Sequence, residues 1–205
     1  MIITQYGFTM FTDYDLGDSL RICVSNLQKS IESDSTILDQ DEKKYINKKI
    51  EEYKIFPIVL YVDKITVSHQ EFEIPIEYFP SGFFFHDRQS FPKPVFTFHL
   101  PFDGDQHLFT ARPSTRLMWT EEVVTSDKEL KFEVINFSDD AEKIQKSRDE
   151  FLSMLQQQIT NINNEINAYN SQLENIIISS MKKAKEKFNI QNDILSKLGN
   201  SSKNE

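Results

Sequence analysis

The stretch FLSMLQQQITNINNEINAYNSQLENIIISSM, residues 151–181, decides the architecture. Leu152, Leu155, Ile159, Ile162, Ile166, Tyr169, Leu173 and Ile176 recur at alternating spacings of three and four. These are the a and d positions of four heptads on one helical face. Leu173 to Met181 is eight residues rather than seven, so the register slips once and resumes through Met181, Ala184, Phe188, Leu195 and Leu198. Asp139 with Glu142 three residues on reads as a capping box that opens the helix. The spacing predicts either one helix over about 139–197 or a hairpin folded back near Ser179-Ser180 or Asn189. A straight helix of that length rises about 85–90 Å. That is longer than a compact domain of the preceding residues, so part of it would project and need a cover.

The flanks of this stripe are short of charge. Between Phe151 and Met181 only Glu165 and Glu174 are charged, while ten residues are Asn or Gln. Helices that select a partner by charge carry it at e and g, so this surface points to packing on its own domain or to pairing with another chain. The eight stripe residues from Leu152 to Ile176 are therefore the candidate partner-binding surface. Lys182, Lys183, Lys185 and Lys187 follow as a basic cluster suited to a helix C-terminal region.

Upstream of residue 138 the composition changes. All seven prolines lie between Pro57 and Pro113, and residues 1–140 carry 24 acidic against 14 basic side chains. An early helical segment sets Leu20, Val24, Leu27 and Ile31 on one face, with Asp18 or Ser19 as its cap. Asp39 followed by Glu42 suggests a cap for a second, mostly charged helix through Tyr53. From Phe56 onward the apolar period becomes two, with short strands predicted at 58–62, 65–76, 95–102, 107–111, 123–125 and 131–137. Met1–Thr12 reads as another strand, and Asp103-Gly104-Asp105-Gln106 as a hairpin turn. The expected fold is α+β. It comprises an antiparallel β-sandwich-like domain or curled sheet over 1–137 with two inserted helices, a long helix or helical hairpin over 138–198, and a disordered tail over 199–205.

Nine of the seventeen phenylalanines fall between Phe79 and Phe109. Phe83-Phe84-Phe85 must alternate between sheet faces, so both faces are apolar there and need covering. Phe83, Phe85 and Phe91 are a possible ligand surface, with Phe96 and Phe98 expected in the core. Phe91-Pro92-Lys93-Pro94 reads as an extended edge or loop, because proline cannot donate within a central strand.

No catalytic, cofactor or metal site rises above background. The four histidines, His69, His86, His99 and His107, match no compact ligand spacing. Glu129-Leu130-Lys131 has the acidic-x-Lys pattern of metal-dependent nucleases, with Asp103 or Asp105 as a possible third group. Glu42-Lys43-Lys44 and Glu52-Tyr53-Lys54 match equally, which is what chance gives in a chain this rich in Glu and Lys. Cys23 is the one cysteine and sits on an amphipathic helix, where a small buried thiol is expected. A single thiol fits a reducing cytoplasm. The net charge of −9 speaks against general nucleic-acid binding, though a specific contact stays open. No apolar run spans a bilayer.

The segments Tyr78-Phe79-Pro80, Phe96-Thr97-Phe98-His99-Leu100-Pro101 and Arg112-Pro113-Ser114, followed by the Asn-rich helix through Leu198, resemble the N-terminal region of a group of bacterial proteins. Those proteins are associated with phage defence and continue into a restriction-endonuclease-like domain. The resemblance covers about residues 75–199 and implies a sensing or assembly module, with no catalytic residue carried over. The expectation is a non-enzymatic interaction module that forms a homo-oligomer or docks a larger protein through its C-terminal helix. The alternative is the sensing region of a nuclease-linked defence effector.

Overall fold

The computed structural model describes residues 7–82 and 89–199. Phe83 and Phe85 of the expected ligand surface lie outside the described residues, as do residues 200–205 of the expected tail. In chain order the strands are β1 (Phe8–Thr9), β2 (Tyr14–Asp15), β3 (Val59–Leu60), β4 (Thr66–Pro75), β5 (Ser90–Asp103), β6 (Ala111–Arg112), β7 (Glu122–Ser126) and β8 (Glu129–Ile135). The helices are α1 (Leu16–Glu32), α2 (Glu42–Tyr53) and α3 (Ala141–Lys197). The class is α+β, with an antiparallel sheet and a long C-terminal helix.

The chain divides into two compact units, and the division does not fall at residue 138. Residues 1–15 and 57–164 form the first unit, and residues 16–56 and 165–205 form the second. The compositional change near 138 marks only where α3 begins. The expected split into a β-domain and a separate helix is therefore corrected: each unit takes its own part of α3.

The first unit is built on one sheet of order β1-β7-β8-β5-β3, with β4 also paired to β5. The other sheet among the described residues is the two-stranded parallel pair β2–β6, so the expected sandwich has no second broad sheet there. α3 supplies apolar cover instead. Phe151 stacks on Phe132 of β8 at 3.8 Å between ring centroids and meets Trp119 edge-on at 5.4 Å. Phe132 in turn stacks on Phe98 of β5 at 5.1 Å.

β5 is the central strand, and it runs straight through Phe91-Pro92-Lys93-Pro94. The register explains why the prolines are tolerated. The Phe102 N–H bonds Lys128 and the Asn136 N–H bonds the Pro94 carbonyl, so even residues of β5 turn their backbone groups toward β8. The β8 ladder begins at Val95 and its last bond on this side uses only the Pro94 carbonyl, so Pro94 and Pro92 lack a donor at and beyond the end of the ladder. The stretch is thus strand, though on one side it is an edge as expected. Phe98 is buried as expected, whereas Phe96 is half-buried against His69 at 5.6 Å, and Phe91 is half-buried too.

The turn expected at Asp103-Gly104-Asp105-Gln106 does not lead into a strand. Asp105 accepts from the His107 N–H at 3.0 Å and opens a short 3-10 turn, Gln106–Phe109, before β6. Gly104 has a φ of 100°, and a Cβ there would collide with the Pro57 carbonyl oxygen. Asp127 and Lys128, at φ of 50° and 65°, make the tight connection from β7 to β8.

In the second unit α1, α2 and the later part of α3 enclose one core. It contains Leu27, Ile31, Ile37, Tyr45, Tyr169, Leu173, Ile177, Met181 and Ala184. Asp41, rather than Asp39, caps α2 by accepting from the Lys44 N–H at 2.8 Å. Asp140, rather than Asp139, accepts from the Glu142 N–H at 3.0 Å to open α3. α1 begins at Leu16, ahead of the expected Asp18 or Ser19 cap. The caps of α2 and α3 shift within the one or two residues by which helix ends vary, whereas α1 begins three or four residues early.

Candidate functional site

α3 is a single helix of 57 residues with no break at Ser179-Ser180 or Asn189, so the hairpin alternative is set aside. Leu152, Leu155, Ile159, Ile162, Ile166, Tyr169 and Leu173 are all buried within the protein itself. Ile176 is half-buried, and Ile177 takes its place in the core at 0% exposure. A 3.5-residue repeat drifts on a straight 3.6-residue helix, and the step Leu173–Ile177–Met181–Ala184 resets it over eleven residues. The stripe assigned to a partner is therefore the protein's own core and cannot be the docking surface.

The amide-rich flank is also used internally. In the first unit Asn163 accepts from the Ile58 N–H at 3.0 Å and donates to the Ile58 carbonyl at 2.7 Å. Gln158 is buried and accepts from the Leu117 N–H at 3.1 Å. In the second unit Asn170 accepts from the Ile55 N–H at 3.1 Å and donates to the Ile55 carbonyl at 2.8 Å. The Tyr169 hydroxyl donates to the Tyr53 carbonyl at 3.0 Å, and burial pushes its pKa up to about 12. Asn and Gln occur on this face because they can satisfy extended backbone that no strand pairs.

Beyond the core the apolar pattern continues uncovered. Ile190 is 61% exposed, Ile194 50%, Leu195 38% and Leu198 68%. Their spacing of four, one and three keeps them on one side of the last turns of α3 and the residue that follows it. Leu195 and Leu198 belong to the periodicity read from sequence, but only the structure separates them from the buried part. In the basic cluster, Lys185 pairs with Glu42 of α2 at 3.0 Å.

The outer face of the sheet carries a different grouping. Ser68 of β4 lies 2.9 Å from His99 Nε2, and His99 Nδ1 lies 3.2 Å from Glu129 of β8. Lys131 Nζ is 3.9 Å from the same carboxylate oxygen. A hydroxyl, an imidazole and a carboxylate in line can pass a proton. Sequence spacing does not bring Ser68 and His99 together, since they meet only through the β4–β5 register. Acyl transfer also needs donors preorganised for an oxyanion and a bounded substrate site. The clefts described below include none of these three residues.

The acidic-x-Lys pair does gather on this face, but its proposed third carboxylates are engaged elsewhere. Asp103 accepts from the Tyr61 hydroxyl at 2.6 Å, and Asp105 caps His107. Among the described residues no three His, Cys, Asp or Glu side chains converge as a metal site. Cys23 is half-buried beside the core of the second unit, and burial raises its thiol pKa.

Clefts lined by described residues occur in the first unit. One of about 710 Å³ is lined by Tyr78, Trp119, Phe132, Phe137 and Phe151 with Glu121, Glu133 and Glu150 at its walls. A second, of about 320 Å³, lies where Phe137 and Asn136 meet the first turns of α3. A third, of about 310 Å³, is lined by Arg112, Arg116, Trp119 and Gln158. Two buried side-chain atoms in the described residues have no hydrogen-bond partner, Arg112 Nε and Asn136 Oδ1.

No family model, no curated protein and no solved structure matches this chain. Among the described residues no helix is long and apolar enough to cross a membrane.

Proposed function

We propose that this protein is a non-enzymatic interaction and assembly module that pairs with a second copy of itself through the last turns of α3. The observation that carries this reading is the exposure of Ile190, Ile194, Leu195 and Leu198 on one side of a helix whose preceding stripe is fully used. Large aliphatic side chains clustered on a continuous helix face favour a partner, because each one fully buried contributes about 1.5–3 kcal/mol. Two such helices supply matching faces in an isologous pair. The single thiol suits a reducing cytoplasm, where we place the protein. The test is to put Asp at Ile190 and Ile194 and to measure solution mass, which should fall while the melting temperature holds.

A second reading rests on the resemblance of residues 75–199 to the N-terminal regions of phage-defence proteins. The exposed helix end favours it, because such a region must meet an effector domain through its C-terminal side. In that reading the pairing face brings effector domains together. A nuclease-domain partner that binds the wild type but not the Ile190→Asp, Ile194→Asp variant would support it.

A further inference from the structure

We infer that the cleft formed by Arg112, Arg116, Trp119 and Gln158 in the first unit binds a phosphate monoester. The first ground is an orphaned donor. Arg112 Nε is buried and has no hydrogen-bond partner, and Asp15, its neighbour in the β2–β6 register, does not supply one to that atom. Nearly all buried donors in folded proteins are satisfied, so an unsatisfied one in a residue that lines the cleft marks a wall short of acceptors.

The second ground is the donor set. Two of the chain's five arginines line this one space of about 310 Å³, and no carboxylate lines it. That is notable in a chain with 32 acidic against 23 basic residues. Gln158 spends its amide oxygen on the Leu117 N–H, so its NH2 is what it can offer a ligand. The Thr12 hydroxyl is spent on the Thr9 carbonyl, which leaves Thr120 as the available hydroxyl.

Two planar guanidinium forks with further neutral donors exceed what the two oxygens of a carboxylate can use. A phosphate monoester presents three terminal oxygens and up to two charges, which fits this set. The site goes beyond the pairing face on α3 and stands or falls independently of it.

Trp119 lines the cleft and is the chain's single tryptophan, so its fluorescence reports the site. The purified chain is titrated at constant ionic strength with inorganic phosphate, adenosine 5′-monophosphate, adenosine and sodium acetate. The expected result is a saturable change with both phosphates and none with adenosine or acetate. Arg112→Lys keeps the charge but loses the fork, and should weaken the phosphates about tenfold or more. Arg116→Gln, at an exposed position, should do the same with an unchanged melting curve. No saturable change, an equal response to acetate, or unaltered affinity in both variants would overturn the assignment.

Discussion

Asn163 holds both backbone groups of Ile58, accepting from its N–H at 3.0 Å and donating to its carbonyl at 2.7 Å. Asn170, one heptad later, does the same to Ile55, three residues earlier. The helix thus offers side-chain amides where a sheet would offer a strand.

Replacing Asn163 by Ala should therefore cost more than an ordinary surface change. It leaves an N–H and a carbonyl without partners in a half-buried place, which costs about 2–4 kcal/mol together. Denaturant unfolding of the variant should show the loss. A change under 0.5 kcal/mol would mean that water replaces the amide without penalty.

Acid sensitivity should trace to Asp34. The Thr36 hydroxyl, its N–H and the Tyr45 hydroxyl all donate to this carboxylate, which lowers its pKa against the opposing effect of burial. A depressed carboxylate pKa stabilises the fold above the unfolded value near 3.9, and that stability is lost as pH falls through the lower folded value. Asp34→Asn should lower the melting temperature at pH 7, and the gap to wild type should narrow as pH falls through the carboxylate range. An equal gap at every pH would show that the charge is not what matters.

The buried stripe makes its own prediction. Ile159 and Ile166 are 4% and 0% exposed, so Asp at either position places an unpaired carboxylate in the core. Such a change costs more than about 4 kcal/mol, a large part of a domain's stability. Ile159→Asp with Ile166→Asp should lose the native circular dichroism signal. Retained folding would return the stripe to the surface and revive it as a docking site.

Magnesium or manganese should not turn the chain into a nuclease. Glu129 is shared between His99 and Lys131, while Asp103 and Asp105 serve Tyr61 and His107. Plasmid and RNA substrates should stay intact with either metal. Cleavage that disappears in Glu129→Gln would reinstate the acidic-x-Lys reading.

Much of this fold was legible in the sequence because periodicity reports burial directly. The 3–4 spacing located α3 and its inward face, and the period of two located β4, β5, β7 and β8. What covers a face is not local information, so the same stripe read equally as core or as partner seam. The Asn and Gln residues misled for a related reason. An amide beside extended backbone looks in sequence like an amide at an interface. The Ser68–His99–Glu129 line and the Arg112–Arg116 cleft were silent, since strand register and loop path bring their members together. Caps shifted by one or two residues because Asp39, Asp41, Asp139 and Asp140 offer adjacent choices.

The central claim is that the last turns of α3 pair two chains, and light scattering across a concentration series tests it most directly. The wild type should have the mass of a dimer or larger assembly, falling toward the monomer on dilution. The Ile190→Asp, Ile194→Asp variant should be monomeric throughout with an unchanged melting temperature, since both positions are at least half exposed. A wild type that is monomeric at every concentration would contradict the account.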